Sequence, residues 1–181
     1  MEPEEFVTRW KRDVYDREPE IIRDDIRLVT CPVGSPLLAT LPAASARFLV
    51  EAGLPNGCAP FLGFSEIARG LRTLVEVWRL EGVSGIEAEE LRRYFVLGSD
   101  GAGNPLCLDS KDNGKIYMVD HDDAFRSRTL VASSVSQLAE ALLLIHTLPQ
   151  EDFGRSFMQI DPDAAGVGGF LPKEVEMLKE A

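Results

Sequence analysis

Between residues 94 and 131 the chain holds four short apolar runs, and the connections between them are too brief to carry a helix. The runs are Tyr94–Gly98, Pro105–Asp109, Lys115–Asp120 and Arg128–Val131, joined by Ser99–Asn104, Ser110–Gly114 and His121–Ser127. A parallel pair needs a crossover of a dozen or more residues, so strands this close in sequence are expected to pair antiparallel with their successors as a meander. Asn113-Gly114 supports this reading, because both residue types accept the positive φ of a tight hairpin turn.

The flanking sequence supplies helices. Phe6, Val7, Trp10 and Val14 recur at helical spacing and predict an amphipathic helix over 4–17, ended by Pro19. Leu41-Pro42 opens a second helix, with Phe48 and Leu49 toward the core and Gly53 in the left-handed cap. Ser134 followed by Gln137 matches a capping box ahead of the stripe Val135, Leu138, Leu142, Leu143 and Ile145, and Pro149 follows its end. Residues 26–30 and 61–64 read as short strands, 71–78 fits either period, 91–97 ends in a strand, 150–170 reads as loop, and 171–179 reads as a last helix. The expected fold is α+β, an antiparallel-rich sheet flanked by helices. With 181 residues and no linker or repeat, the expectation is one domain over 1–181.

Charge narrows the partners. At a net charge of −11 the chain lacks the cationic surface from which nucleic-acid binding draws its affinity. The same charge would speed encounter with a basic protein. The longest apolar run, Ala141–Ile145, is far short of the roughly 20 residues that span a bilayer. Met1-Glu2-Pro3-Glu4-Glu5 has no apolar signal core, so the expected location is the cytoplasm, with no membrane partner. Cys31, Cys58 and Cys107 lie far apart without metal or redox spacing, as buried thiols in a reducing compartment do.

Motifs for chemistry fall short one after another. Gly98-Ser99-Asp100-Gly101-Ala102-Gly103 would need its third glycine at Leu106 and a helix behind it to hold a dinucleotide. Asp109 to Asp120 imitates a calcium loop, but Lys111 occupies a ligand position. In Asp120-His121-Asp122-Asp123, neighbouring strand residues point to opposite faces, so the four cannot converge on one metal or substrate. Gly114-Lys115 is followed by Ile116 and is no phosphate loop, and no G-x-S-x-G is present. The residues therefore point to no catalytic, cofactor or metal site, and to a binding protein rather than an enzyme.

The order of the pieces is familiar. Leu41-Pro42 through Gly53-Leu54-Pro55, Phe61–Phe64, Tyr94–Gly98 with Asp100-Gly101, Pro105–Asp109, Gly114–Tyr117, Asp120-His121, and Ala132–Val135 with Leu138–Leu142 together resemble the SUKH superfamily. The likeness is nearest to the bacterial SUKH immunity proteins of the fourth subgroup and is strongest over residues 37–146. It implies an α+β fold and the binding and neutralising of a cognate polymorphic toxin, of nuclease or deaminase type. It implies no catalytic residues. A scaffold or regulatory protein of the same fold is the alternative, and a small metal-dependent hydrolase around His121 comes third. If a basic toxin domain is the partner, the expected contacts are Asp100, Asp112, Asp120, Asp122 and Asp123, with Tyr117 and Trp78 as aromatic anchors.

Overall fold

The hairpin spacing becomes a sheet in which every strand pairs with the next one along the chain. In a computed structural model, which describes residues 1–59, 61–84, 86–166 and 168–178, β1 (Leu28–Val29) and β2 (Leu54–Pro55) form a small antiparallel ribbon. The strands β3 (Gly57–Cys58), β4 (Leu62–Gly63), β5 (Tyr94–Ser99), β6 (Pro105–Asp109), β7 (Ile116–Val119) and β8 (Arg128–Ala132) follow one another, in that order, across a six-stranded sheet. All five neighbouring pairs are antiparallel. In the turn after β6, Asn113 (φ 52°) and Gly114 (φ 74°) take up the left-handed conformations expected of them.

Alternation along the strands divides the sheet into two faces. Phe95, Leu97, Leu106, Leu108 and Ile116 point into the larger core, which is built with helices α1 (Pro3–Asp13), α3 (Ala43–Glu51), α6 (Val135–Thr147), α7 (Gln150–Ile160) and α8 (Phe170–Met177). Tyr94, Val96, Cys107, Tyr117 and Val119 point the other way. Among the described residues, they meet a small cover made by α4 (Leu74–Trp78), Leu80, α5 (Ala88–Leu91) and Phe125. The remaining helix, α2 (Glu20–Ile26), follows α1 in the chain, and Trp10 is fixed by an indole N–H bond to the Ile26 carbonyl at 2.9 Å. The fold is therefore α+β, an antiparallel sheet flanked by helices. Among the described residues no helix is long and apolar enough to cross a membrane.

Several local expectations need correction. Residues 150–160 form helix α7 rather than loop: Phe153 and Phe157, one turn apart, stack at 5.4 Å and are buried, while Pro149 both follows α6 and caps α7. The glycines at 166, 168 and 169 had drawn the loop reading over the whole segment. The first helix stops at Asp13 and continues only as a 3₁₀ turn, and its Val7 is exposed. The strand at 26–30 shrinks to two residues because α2 runs through Ile26. In 71–78 the helix wins from Leu74, because Thr73 and Glu76 form a reciprocal capping box. Residues 88–91 are helical, and the strand begins at Tyr94 as expected and runs one residue past Gly98, to Ser99. At α6, Ser134 accepts from the Gln137 N–H, but the Gln137 side-chain oxygen accepts from the Ser134 hydroxyl rather than from its backbone N–H, so only half of that box is made. Lys179, at the end of the last predicted helix, lies outside the described residues.

One position fixes how β4 joins the sheet. β5 carries a bulge between Val96 and Gly98, and a Cβ at Gly98 would lie 1.8 Å from the Gly63 carbonyl oxygen. A backbone oxygen cannot step aside as a side chain can. Gly98→Ala is expected to lower stability by on the order of 3 kcal/mol in urea unfolding, by prising β4 from β5.

Candidate functional site

Sequential antiparallel pairing sends alternate connections to the same end of a sheet. The β3–β4, β5–β6 and β7–β8 turns therefore gather at one end, and the contacts between them are direct. Gly63 pairs with Ser99, and a Cβ at Gly101 would stand 2.7 Å from the Phe61 Cβ, so the first two turns touch. The Asn104 side-chain oxygen accepts from the His121 backbone N–H at 3.2 Å and from ring Nδ1 at 2.7 Å, which ties the second turn to the third. Because that oxygen can only accept, the hydrogen sits on Nδ1.

Four of the five aspartates singled out by sequence lie at this end. Asp100 accepts from the N–H groups of Ala102 and Asn104 and from the Asn104 amide, which fixes its turn. Asp120 accepts from the Asp122 N–H at 2.8 Å. Asp123 accepts from the Arg126 and Ser127 N–H groups and the Ser127 hydroxyl, and these bonds hold its carboxyl below the usual range. Asp122 is 89% exposed, and its only described ionic neighbour is His121 Nε2 at 3.4 Å. Glu174 of α8 adds a fifth acid. Burial and then the nearby Asp100 charge push its carboxyl above the ordinary range. Three of the four aspartates are thus structural braces as well as charges, and Asp122 is the free one.

Aromatic rings flank these acids. Trp78 stands at the C-terminal end of α4, 38% exposed, with its ring 5.4 Å from His121 and edge-on to Phe125 at 5.1 Å. To reach beneath it, the 120–127 turn places Ala124 (φ 61°) and Phe125 (φ 64°) successively in the left-handed region. Neither is glycine, so each costs on the order of 1–3 kcal/mol, offset by burial of the Phe125 ring and by the Asp123 bonds. Strain held in this way clusters at sites that grip something. Phe61, which the sequence reading passed over, is 70% exposed beside Gly101. Its sequence signal was slight: an aromatic residue directly after Pro60, at the start of a predicted strand.

Asp112 and Tyr117 belong elsewhere. Asp112 sits in the β6–β7 turn at the opposite end, and the Tyr117 hydroxyl donates to it at 2.6 Å. Tyr117 is mid-strand, 9% exposed, with the Arg128 guanidinium 4.4 Å above its ring. Arg128 also donates to the Tyr94 hydroxyl at 2.7 Å and to Asp109 at 2.8 Å, while Arg93 grips Asp109 with two bonds of 2.7 and 2.6 Å. Asp109 is fully buried, and its two guanidinium partners close the open part of the smaller face. The one sign of this cluster in the sequence is an aspartate ending an apolar strand. A cleft of about 520 Å³ opens beside it, between Glu87 and Glu90 on one side and Lys111 and Arg126 on the other.

The three cysteines are buried free thiols, with Cys58 Sγ 3.2 Å from His146 Nε2. Among the described residues no three His, Cys, Asp or Glu side chains are grouped to hold a metal ion.

Burial and the Asp112 carboxylate together push the Tyr117 phenol up to about 12. The folded state then holds this proton more tightly than the unfolded chain, whose tyrosine titrates near 10. Stability from this group is complete below pH of about 10 and is lost as pH rises toward about 12. Alkaline unfolding followed by circular dichroism is expected to be shallower through that window in Tyr117→Phe than in the parent.

Comparison with family models matches residues 35–170, about three-quarters of the chain, to the SUKH-4 immunity protein model. Neither the curated proteins nor the solved structures gave a match. The matched span takes in the whole six-stranded sheet, the small cover of its second face, and helices α3, α6 and α7. The chain belongs to the SUKH-4 immunity protein family.

Proposed function

We propose that the protein neutralises a cognate toxin by binding a basic surface on it, and that the acidic end of the sheet, with Asp100, Asp120, Asp122 and Asp123, is where the toxin docks. The observation that carries this reading is the convergence of three turns: four aspartates scattered over 24 residues of sequence come to one end, beside two exposed aromatic rings. A charged rim around an aromatic centre is the common anatomy of a tight protein interface.

The charge also suggests the kind of toxin. Nucleases and nucleic-acid deaminases bind a polyanion, so their substrate clefts carry lysine and arginine. A negative surface competes for that cleft and is drawn to it over distances set by the Debye length. No catalytic step is required of the immunity protein; occupancy alone excludes substrate. Asp112 and Tyr117 lie outside this docking surface. Asp112, in the turn at the other end of the sheet, accepts from the mid-strand Tyr117 hydroxyl, whose ring is covered by the Arg128 side chain, and Trp78 keeps the anchor role.

The test uses the cognate toxin domain. Asp122→Lys changes an exposed carboxylate that braces no turn. At low salt it is expected to slow association by about three- to tenfold while leaving the melting temperature unchanged. The parent rate should itself fall steeply as salt rises. An association rate indifferent both to salt and to Asp122→Lys would remove this end of the sheet from the interface.

A further inference from the structure

We infer that the groove beside Trp78 is a receptor for the guanidinium of an arginine side chain presented by a partner. The groove has a volume of about 210 Å³ and is lined by Trp78 and Val77 of α4, by Val96 and Gly98 of β5, and by Pro105 at the start of β6. It opens on the acidic end of the sheet, since Ser99 and Gly103 of the β5–β6 turn also line it. This deepens the docking reading above by naming one side chain the toxin would insert.

Three observations select the ligand. The indole is held in place: His121 packs at 5.4 Å and Phe125 meets it edge-on at 5.1 Å, yet 38% of the residue is exposed. A fixed indole with free π surface is the best of the aromatic partners for a cation. Beside the indole the lining offers the apolar groups of Val77, Val96 and Pro105, with Gly98 lacking any side chain and Ser99 and Glu66 at its polar edge, so it suits the methylene stem and plane of arginine better than a hydrated ammonium. The nearby charge is negative. Asp100 belongs to the same β5–β6 turn as the lining residues Ser99 and Gly103, and the Asp122 carboxylate is 3.4 Å from Nε2 of His121, the ring packed on the indole. Glu66, which lines the groove, pairs with Arg69 and Arg72 of its own chain, so the attraction comes from the two aspartates beside the lining.

The test needs no toxin. N-acetyl-argininamide is titrated into the intact protein while the two indole N–H resonances are followed by NMR. Trp10 is buried and bonded to Ile26, so it serves as the internal control. The expected result is a saturable millimolar shift of the Trp78 resonance, with Trp10 unmoved, and at least about fivefold weaker binding of the neutral isostere N-acetyl-citrullinamide. In Trp78→Leu the accompanying shifts at Ser99 and Gly103 should vanish while the Trp10 resonance reports an intact fold. A Trp78 resonance that does not move, that moves without saturating, or that answers equally to the citrulline compound overturns the inference. The two readings fail separately. Arginine binding here alongside salt-independent toxin association leaves the groove standing and removes the toxin reading. Salt-steered toxin association with an indifferent Trp78 does the reverse.

Discussion

Every strand of the large sheet pairs with its neighbour in sequence, and this one constraint decides where the acidic turns lie. Hydrogen bonding between successive antiparallel strands forces the chain to reverse at alternating ends. The turns that follow β3, β5 and β7 cannot be anywhere but together, and the aspartates of the last two come with them. Asp112, in the intervening turn, is sent to the far end by the same rule. The packing then makes the gathering rigid. Asn104 joins two turns through His121, Gly101 leaves room for Phe61, and Gly98 lets the β4 backbone approach.

The two faces of the sheet are stabilised differently. One is covered by helices and buries an extensive apolar core. Among the described residues, the other has α4, Leu80, α5 and Phe125 for cover, and it ends in charge: Asp109 buried between Arg93 and Arg128, with two tyrosines beneath the guanidinium groups. A carboxylate without its partners would be costly there, since breaking a buried ion pair typically loses about 3–5 kcal/mol. Burying a carboxylate between two guanidinium groups fixes the thinner face in one arrangement. It also keeps Arg93 and Arg128 occupied, so they do not neutralise the acidic end. Two paired cations are thereby held on one face, while the carboxylates of Asp100, Asp120 and Asp123 brace the turns and Asp122 stands exposed among them.

Much of this was legible beforehand because the strand signal between 94 and 131 is local. Alternation, Asn113-Gly114 and short spacing are all properties of contiguous residues, and the structure departs from that reading by only a residue or two at the strand ends. What was not legible depends on contacts between distant residues. Asp109 reads as the polar end of a strand until Arg93 and Arg128 are brought to it. Tyr117 reads as a possible surface anchor until Arg128 covers it. Phe61 carries no signal of exposure, because an aromatic residue before a leucine looks like core. Helix α7 was lost to the glycines that follow it, although Phe153 and Phe157 stood at helical spacing. The aspartates were recognised as charges, but their second role, accepting backbone N–H bonds in the turns, emerges only from the backbone they brace.

The family match and the geometry point the same way, toward recognition by surface. In the docking proposed above, the braced acidic turns and the exposed aromatic rings beside them would offer both speed of encounter and slow release. The most direct measurement is amide hydrogen exchange of the protein alone and in complex with its cognate toxin domain. Protection concentrated in the turns at 59–61, 99–104 and 120–127 and at the end of α4 is the expected result. Protection confined to α1, α6 or the β6–β7 turn, with those three turns exchanging as in the free protein, would contradict it.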